Sequence, residues 1–191
     1  MNNTLYVVVD ISGSMIEMAK MSISMNILSF IREYDSIYKD TVYFDKIIIL
    51  KWSEVVEIIE LDKDNELENF IPSGKLNFSS LQEELAKINT EDIPMRILLL
   101  SDGNYDDSEL NSFLEWQNND EKLDIAVVAI GADATWDTLK RISFGENVYS
   151  PEDILTAMKS LESIRGIGYN KPESISAIVN LTTDKNLDEW S

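Results

Sequence analysis

The sequence predicts an α/β fold: a central, mostly parallel sheet with helices on both faces and one antiparallel edge strand. Three observations lead there. Residues 5–9, 95–100 and 123–130 are short, continuous apolar runs, the pattern of strands covered on both faces. Helical stretches lie between these runs, and strands that alternate with helices make parallel crossovers. Residues 43–61 (YFDKIIILKWSEVVEIIEL) hold two strands meeting around 51–54. So close a connection is a hairpin, and therefore one antiparallel pair.

The elements follow in chain order. After the strand at 5–9, residues 15–38 carry apolar side chains at 16, 23, 27, 30, 31, 34 and 37 with no Gly or Pro, which predicts one long helix. The hairpin comes next, then a loop marked by Pro72, Ser73 and Gly74. Leu81, Leu85 and Ile88 form the stripe of a second helix over 79–88. The strand at 95–100 runs into Ser101-Asp102-Gly103, and Asp106 or Asp107 is placed to cap a helix reaching about residue 118. The strand at 123–130 ends at Gly131, and a helix at 134–143 and a short strand at 147–149 follow. Ser150 as cap and Pro151 at the first helical position open a last helix ending near Gly166. Residues 1–165 therefore form the domain. Residues 166–191 form a partly ordered C-terminal extension, in which Ile175, Ile178, Val179 and Leu181 suit one further small element.

Composition narrows the function. With 16 Lys and Arg against 35 Asp and Glu, the formal charge is −19. Nucleic acids and anionic membranes demand basic patches, so neither is an expected partner. A cation, a basic partner or plain solubility suits this charge. The chain has no cysteine and no histidine, which removes disulfides, thiolate metal sites, imidazole-ligated zinc and Ser-His-Asp catalysis. Any metal here is a hard ion held by oxygen, such as magnesium, manganese or calcium. The first ten residues, MNNTLYVVVD, lack a basic region before a short apolar run, and no stretch approaches the ~18 apolar residues of a membrane span. A cytoplasmic location is expected.

Two strand ends deliver an aspartate into a polar loop. Asp10 follows LYVVV and is followed at spacing two by Ser12 and Ser14; Asp102 follows LLLS. An ionised carboxylate at the end of a buried strand is costly unless compensated. Alternate residues of an extended loop point the same way, so the oxygens of Asp10, Ser12 and Ser14 can meet at one point. In parallel α/β sheets, sites sit beyond the carboxyl ends of the strands, where both aspartates fall. Two hydroxyls, two carboxylates and waters suit magnesium, which takes about six oxygens and keeps several waters.

DISGSM at 10–15 resembles the Asp-x-Ser-x-Ser motif of von Willebrand factor type A (VWA) domains, the metal-ion-dependent adhesion site. LLLSDG at 98–103 resembles that family's second aspartate loop. The resemblance spans about residues 3–165. It implies a Rossmann-like fold and a divalent cation, magnesium first, with manganese or calcium as alternatives. The family also has a threonine after a glycine pair; here the matching stretch is NFSSLQEELAKI, which lacks the glycines and puts Ser79 at the threonine position, with Ser80 as the alternative. The implied metal set is thus Asp10, Ser12, Ser14, Ser79 and Asp102. Hydroxyls ligate directly, aspartates act largely through water, and an open coordination position accepts an Asp or Glu from a protein partner. The stretch IAVVAIGADATWDTLKRIS is most similar to bacterial tellurium-resistance-associated (TerY-like) VWA proteins. That similarity implies an intracellular adaptor in a stress-response or conflict system, alongside kinase or phosphatase components.

The competing reading is a magnesium-dependent phosphohydrolase or phosphotransferase of the haloacid-dehalogenase type, which also ends its first strand in aspartate. Such enzymes carry a second acid two positions later, where this chain has Ser12, and no suitable downstream lysine and acidic pair is found. A receiver domain wants an early acidic pair and a late lysine after a strand, and LDIAVVAIGAD lacks that lysine. No Gly-rich Lys-Ser/Thr phosphate loop is present. The expectation is a binding module rather than an enzyme. Met15, Met18, Met21 and Met25, and Trp52, Trp116 and Trp136, are read as packing residues, and Ser79 also suits a plain helix cap.

Overall fold

The computed structural model describes residues 3–37, 44–61, 67, 69–89, 95–119, 123–143 and 147–162. The expected helix end near Gly166 and the extension at 166–191 lie outside the described residues.

Six strands make one sheet: β1 (Thr4–Asp10), β2 (Lys46–Trp52), β3 (Val56–Glu60), β4 (Met95–Ser101), β5 (Leu123–Ala129) and β6 (Val148–Tyr149). Across the sheet they run β3-β2-β1-β4-β5-β6. Every neighbouring pair is parallel except β2 with β3, where Trp52 stands opposite Val56 in the tight hairpin. The α/β expectation with its antiparallel edge therefore holds.

The helices are α1 (Lys20–Ile37), α2 (Phe78–Ile88), α3 (Asp107–Asn119), α4 (Trp136–Ile142) and α5 (Ile154–Glu162), with 3-10 turns at Gly13–Ala19 and Pro151–Asp153. Strand side chains alternate between faces and so feed two cores. On one face Leu5, Val7, Val9, Leu98 and Val128 pack with Leu28 and Ile31 of α1 and Ala157 and Leu161 of α5. On the other, Val8, Leu50, Ile97, Leu99 and Val127 pack with Leu81 and Leu85 of α2, Phe113 of α3 and Leu139 of α4. Each fully buried large apolar side chain contributes about 2 kcal/mol, so both layers clamp the central strands. The chain leaves β1 for β2 on one side and later takes up β4 on the other. That reversal opens a crevice at the carboxyl ends of β1 and β4, where Asp10 and Ser101-Asp102 emerge.

The long helix expected at 15–38 starts later. Residues 13–19 form a kinked 3-10 turn in which Glu17 is extended and Met18 and Ala19 adopt left-handed backbone angles (φ 51° and 57°). Apolar spacing alone does not reveal this break, which directly precedes Lys20, described below. Met15 is buried as expected, whereas Met18 is 65% exposed and does not pack. Trp52 is buried, Trp116 packs against the second core, and Trp136 is largely exposed. The cap of α2 is Asn77, whose side chain accepts the Ser80 N–H at 3.2 Å, rather than Ser79. Asp106, not Asp107, caps α3 by accepting the N–H groups of Ser108 and Glu109. Pro151 takes the first helical position as expected, but the Ser150 hydroxyl donates to the Asp153 carboxylate instead of capping backbone.

Candidate metal centre

Asp10 is the last residue of β1 and is fully buried. One of its oxygens, Oδ1, accepts the Ser12 N–H at 2.9 Å and the Ser12 hydroxyl at 2.7 Å. The other, Oδ2, accepts the Ser101 hydroxyl at 2.5 Å. The Ser12 and Ser14 hydroxyl oxygens lie 3.1 Å apart, so the loop does gather its oxygens at one point. Burial pushes the Asp10 carboxyl up to about 6, against the pull of the Ser101 and Ser12 donors and with a further push from Asp102. Asp10 is thus a carboxylate with neutral donors only, under strain from its own desolvation.

Asp102 has a different partner. Its Oδ1 accepts the Asn104 N–H at 3.0 Å, while its Oδ2 takes a hydrogen bond from the Lys20 ammonium at 2.9 Å. Lys20 also reaches Asp133 at 2.8 Å, and its side chain is only 3% exposed. Burial works to lower the Lys20 pKa, but the bonds to Asp102 and Asp133 outweigh it and raise it above 10.5. Gly103, at φ 77°, lets the loop turn; a Cβ there would stand 2.9 Å from Leu139 and from the Thr135 carbonyl. Tyr105 is half-buried against Trp52 and Phe78 with its hydroxyl turned inside, and desolvation first, then the charge of Asp10, pushes its phenol well above 10.

A cavity of about 370 Å³ opens over the loops, lined by Ser12, Ser14, Gly74, Lys75, Phe78, Asn104, Tyr105, Asp106 and Glu109 among others. Of the residues expected from sequence, Asp10, Ser12 and Ser14 are joined by hydrogen bonds, and Asp102 is close enough for its charge to act on Asp10. Ser79 lies exposed on the first turn of α2, where Phe78 and not Ser79 lines the cavity. Ser80 spends its hydroxyl on the Asn77 carbonyl at 2.9 Å. Sequence reasoning missed Lys20, Ser101 and Asp133. Ser101 carried a readable signal, since it follows the apolar run directly; Lys20 had none beyond being the lone base between residues 12 and 31.

The donor set fits a hard divalent cation. It is all oxygen and rich in hydroxyls, although among the described residues no group of three or more acidic side chains is placed to hold a metal. Lys20 bonds to Asp102 and Asp133 and leaves Asp10 to neutral donors, so one ammonium stands against three carboxylates and a net negative charge remains for an incoming ion. Such an ion would offset the desolvation that Asp10 now bears.

No protein-family model and no curated protein matches the sequence. Solved structures do match its fold. The manganese-loaded TRAP protein of Plasmodium vivax aligns with a TM-score of 0.58 at 16% identity, over 84% of this chain and 73% of that one. The proximal thread matrix protein 1 of mussel byssus, with a zinc-occupied MIDAS motif, gives 0.56 at 14% identity over 84% and 44%. A von Willebrand factor type A protein from Catenulispora acidiphila gives 0.54 at 12% identity over 85% and 41%. The chain spans under half the length of the last two. At these identities the likeness shows the fold, a Rossmann-like von Willebrand factor type A fold. Among the described residues, no helix is long and apolar enough to cross a membrane.

Proposed function

We propose that the chain is a metal-dependent protein-interaction module in which a divalent cation, magnesium first, bridges the domain to an acidic residue of a partner protein. The observation that carries this reading is the Ser12 hydroxyl bonded to buried Asp10 with the Ser14 hydroxyl beside it, both serines lining an open cavity at the carboxyl edge of the sheet. Neutral hydroxyl ligands leave an ion with positive charge to spend on an external carboxylate. Ser12 and Ser14 are the direct ligands in this reading, with Asp10 and Asp102 supplying charge and orienting waters. Ser79, exposed on α2, is the member of the set with the least structural support. Metal-bearing structures with the same fold, one with zinc and one with manganese, favour the reading. The comparisons lend no support to a phosphohydrolase, and Ser12 stands where that chemistry needs its second acid. A cytoplasmic adaptor of the TerY-like kind, working beside a kinase or phosphatase, is the biological setting we propose on the resemblance of residues 125–143.

Calorimetric titration with magnesium tests the module. The wild type should bind, and Ser12→Ala/Ser14→Ala should lose binding while keeping its fold by circular dichroism. Equal binding by both proteins would sink the assignment. A metal-dependent pulldown that survives removal of the partner's acidic residues would sink the bridging role.

A further inference from the structure

The loop before α1 is built to deliver one lysine into the site. Two successive left-handed residues, Met18 and Ala19, put Lys20 at the first position of the helix with its side chain turned inward. Left-handed angles cost a non-glycine residue energy, so the surrounding structure has to hold them. Gly131 makes the room: at φ 96°, an added Cβ would lie 2.8 Å from Lys20 Cε and 2.8 Å from Asp133 Oδ1. The ammonium then reaches Asp102 and Asp133, 82 and 113 residues away in sequence.

We propose that Lys20 is a positioning residue that keeps Asp102 Oδ2 out of the metal's coordination shell and sets the affinity of the site. The inference rests on the metal-module reading. With Oδ2 engaged by an ammonium and Oδ1 by the Asn104 N–H, both faces of Asp102 that are spoken for point to protein rather than to an ion. The ion is then confined to the side of Asp10, Ser12 and Ser14, and it feels a fixed positive charge behind Asp102. Removing that charge frees a carboxylate oxygen and ends a like-charge repulsion. Both changes tighten binding.

The test is magnesium calorimetry on wild type, Lys20→Met and Lys20→Arg. Lys20→Met should bind at least about tenfold more tightly, since one unit charge near a half-buried divalent ion is worth that much or more. Lys20→Arg, which keeps the charge, should stay near wild type. Binding by the variant alone, with wild type silent, would support the proposal in its strongest form. Unchanged or weaker binding by a folded Lys20→Met overturns it while the metal module stands. Silence from all three proteins overturns both. If Lys20→Met does not fold, wild type decides: in protein labelled with 15N-lysine, the Lys20 ammonium signal should remain visible and slow to exchange at saturating magnesium, and its loss overturns the proposal.

Discussion

The two ends of the sheet each bury an aspartate whose carboxyl is pushed up to about 6, yet their surroundings differ. At the carboxyl end, Asp10 is surrounded by hydroxyls and one N–H, all neutral donors, beneath an open cavity. At the opposite end, Asp124 of β5 stands across from Arg96 of β4, whose charge opposes the effect of burial, and Arg96 also donates to Asn3. Asp124 Oδ2 has no hydrogen-bond partner among the described residues. A shifted carboxyl alone therefore does not mark a site. What sets Asp10 apart is its bonded hydroxyls and the opening above them, since hydroxyls can turn their lone pairs toward a cation, whereas Asp124 has only the charge of Arg96 set against its burial.

The comparison breaks most readily at the two aspartates. Without divalent metal, ionised Asp10 is a cost. Its folded value near 6 lies above the unfolded 3.8, so the folded chain holds the proton more tightly. Its contribution to stability is complete below pH 3.8 and is lost as pH rises through 6, a change of up to about 3 kcal/mol. Asp10→Asn should thus raise the melting temperature of metal-free protein at pH 7.5, remove that part of the pH dependence and abolish magnesium binding. In wild type, magnesium affinity should fall as pH drops below 6, where a proton occupies Asp10. Asp124→Asn should leave magnesium affinity unchanged. A loss of affinity in that variant would end the contrast between the two ends.

A smaller effect is expected at Gly131. Gly131→Ala meets Lys20 and Asp133 and demands a left-handed alanine, and should cost about 2–3 kcal/mol in urea unfolding. A neutral outcome would mean that Lys20 has room to move. The smallest effect is at Asn77. Asn77→Ala removes the cap of α2 and should cost about 1 kcal/mol. Magnesium affinity should not change if the start of α2 stays clear of the ion. A drop in affinity would draw Ser79 into the ligand set.

Much of this was legible in the residues. The apolar runs of β1, β4 and β5 predict buried parallel strands, and Lys51–Glu54 predicts the edge hairpin, because burial and turn geometry act locally on the chain. The hydroxyl pair after Asp10 is local too, since a spacing of two sets direction. The kink at Met18 and Ala19 was not legible, because the groups that receive the following Lys20, Asp102 and Asp133, lie far along the chain. The same holds for Ser101, whose hydroxyl meets Asp10 across 91 residues. Sequence alone therefore carries the sheet, the helices that cover it and the Asp10-Ser12-Ser14 loop, all products of short-range pattern and period. Tertiary structure decides which buried acid receives the lysine and which is left to hydroxyls, because ion pairing in a core depends on which distant groups the packing brings within 3 Å.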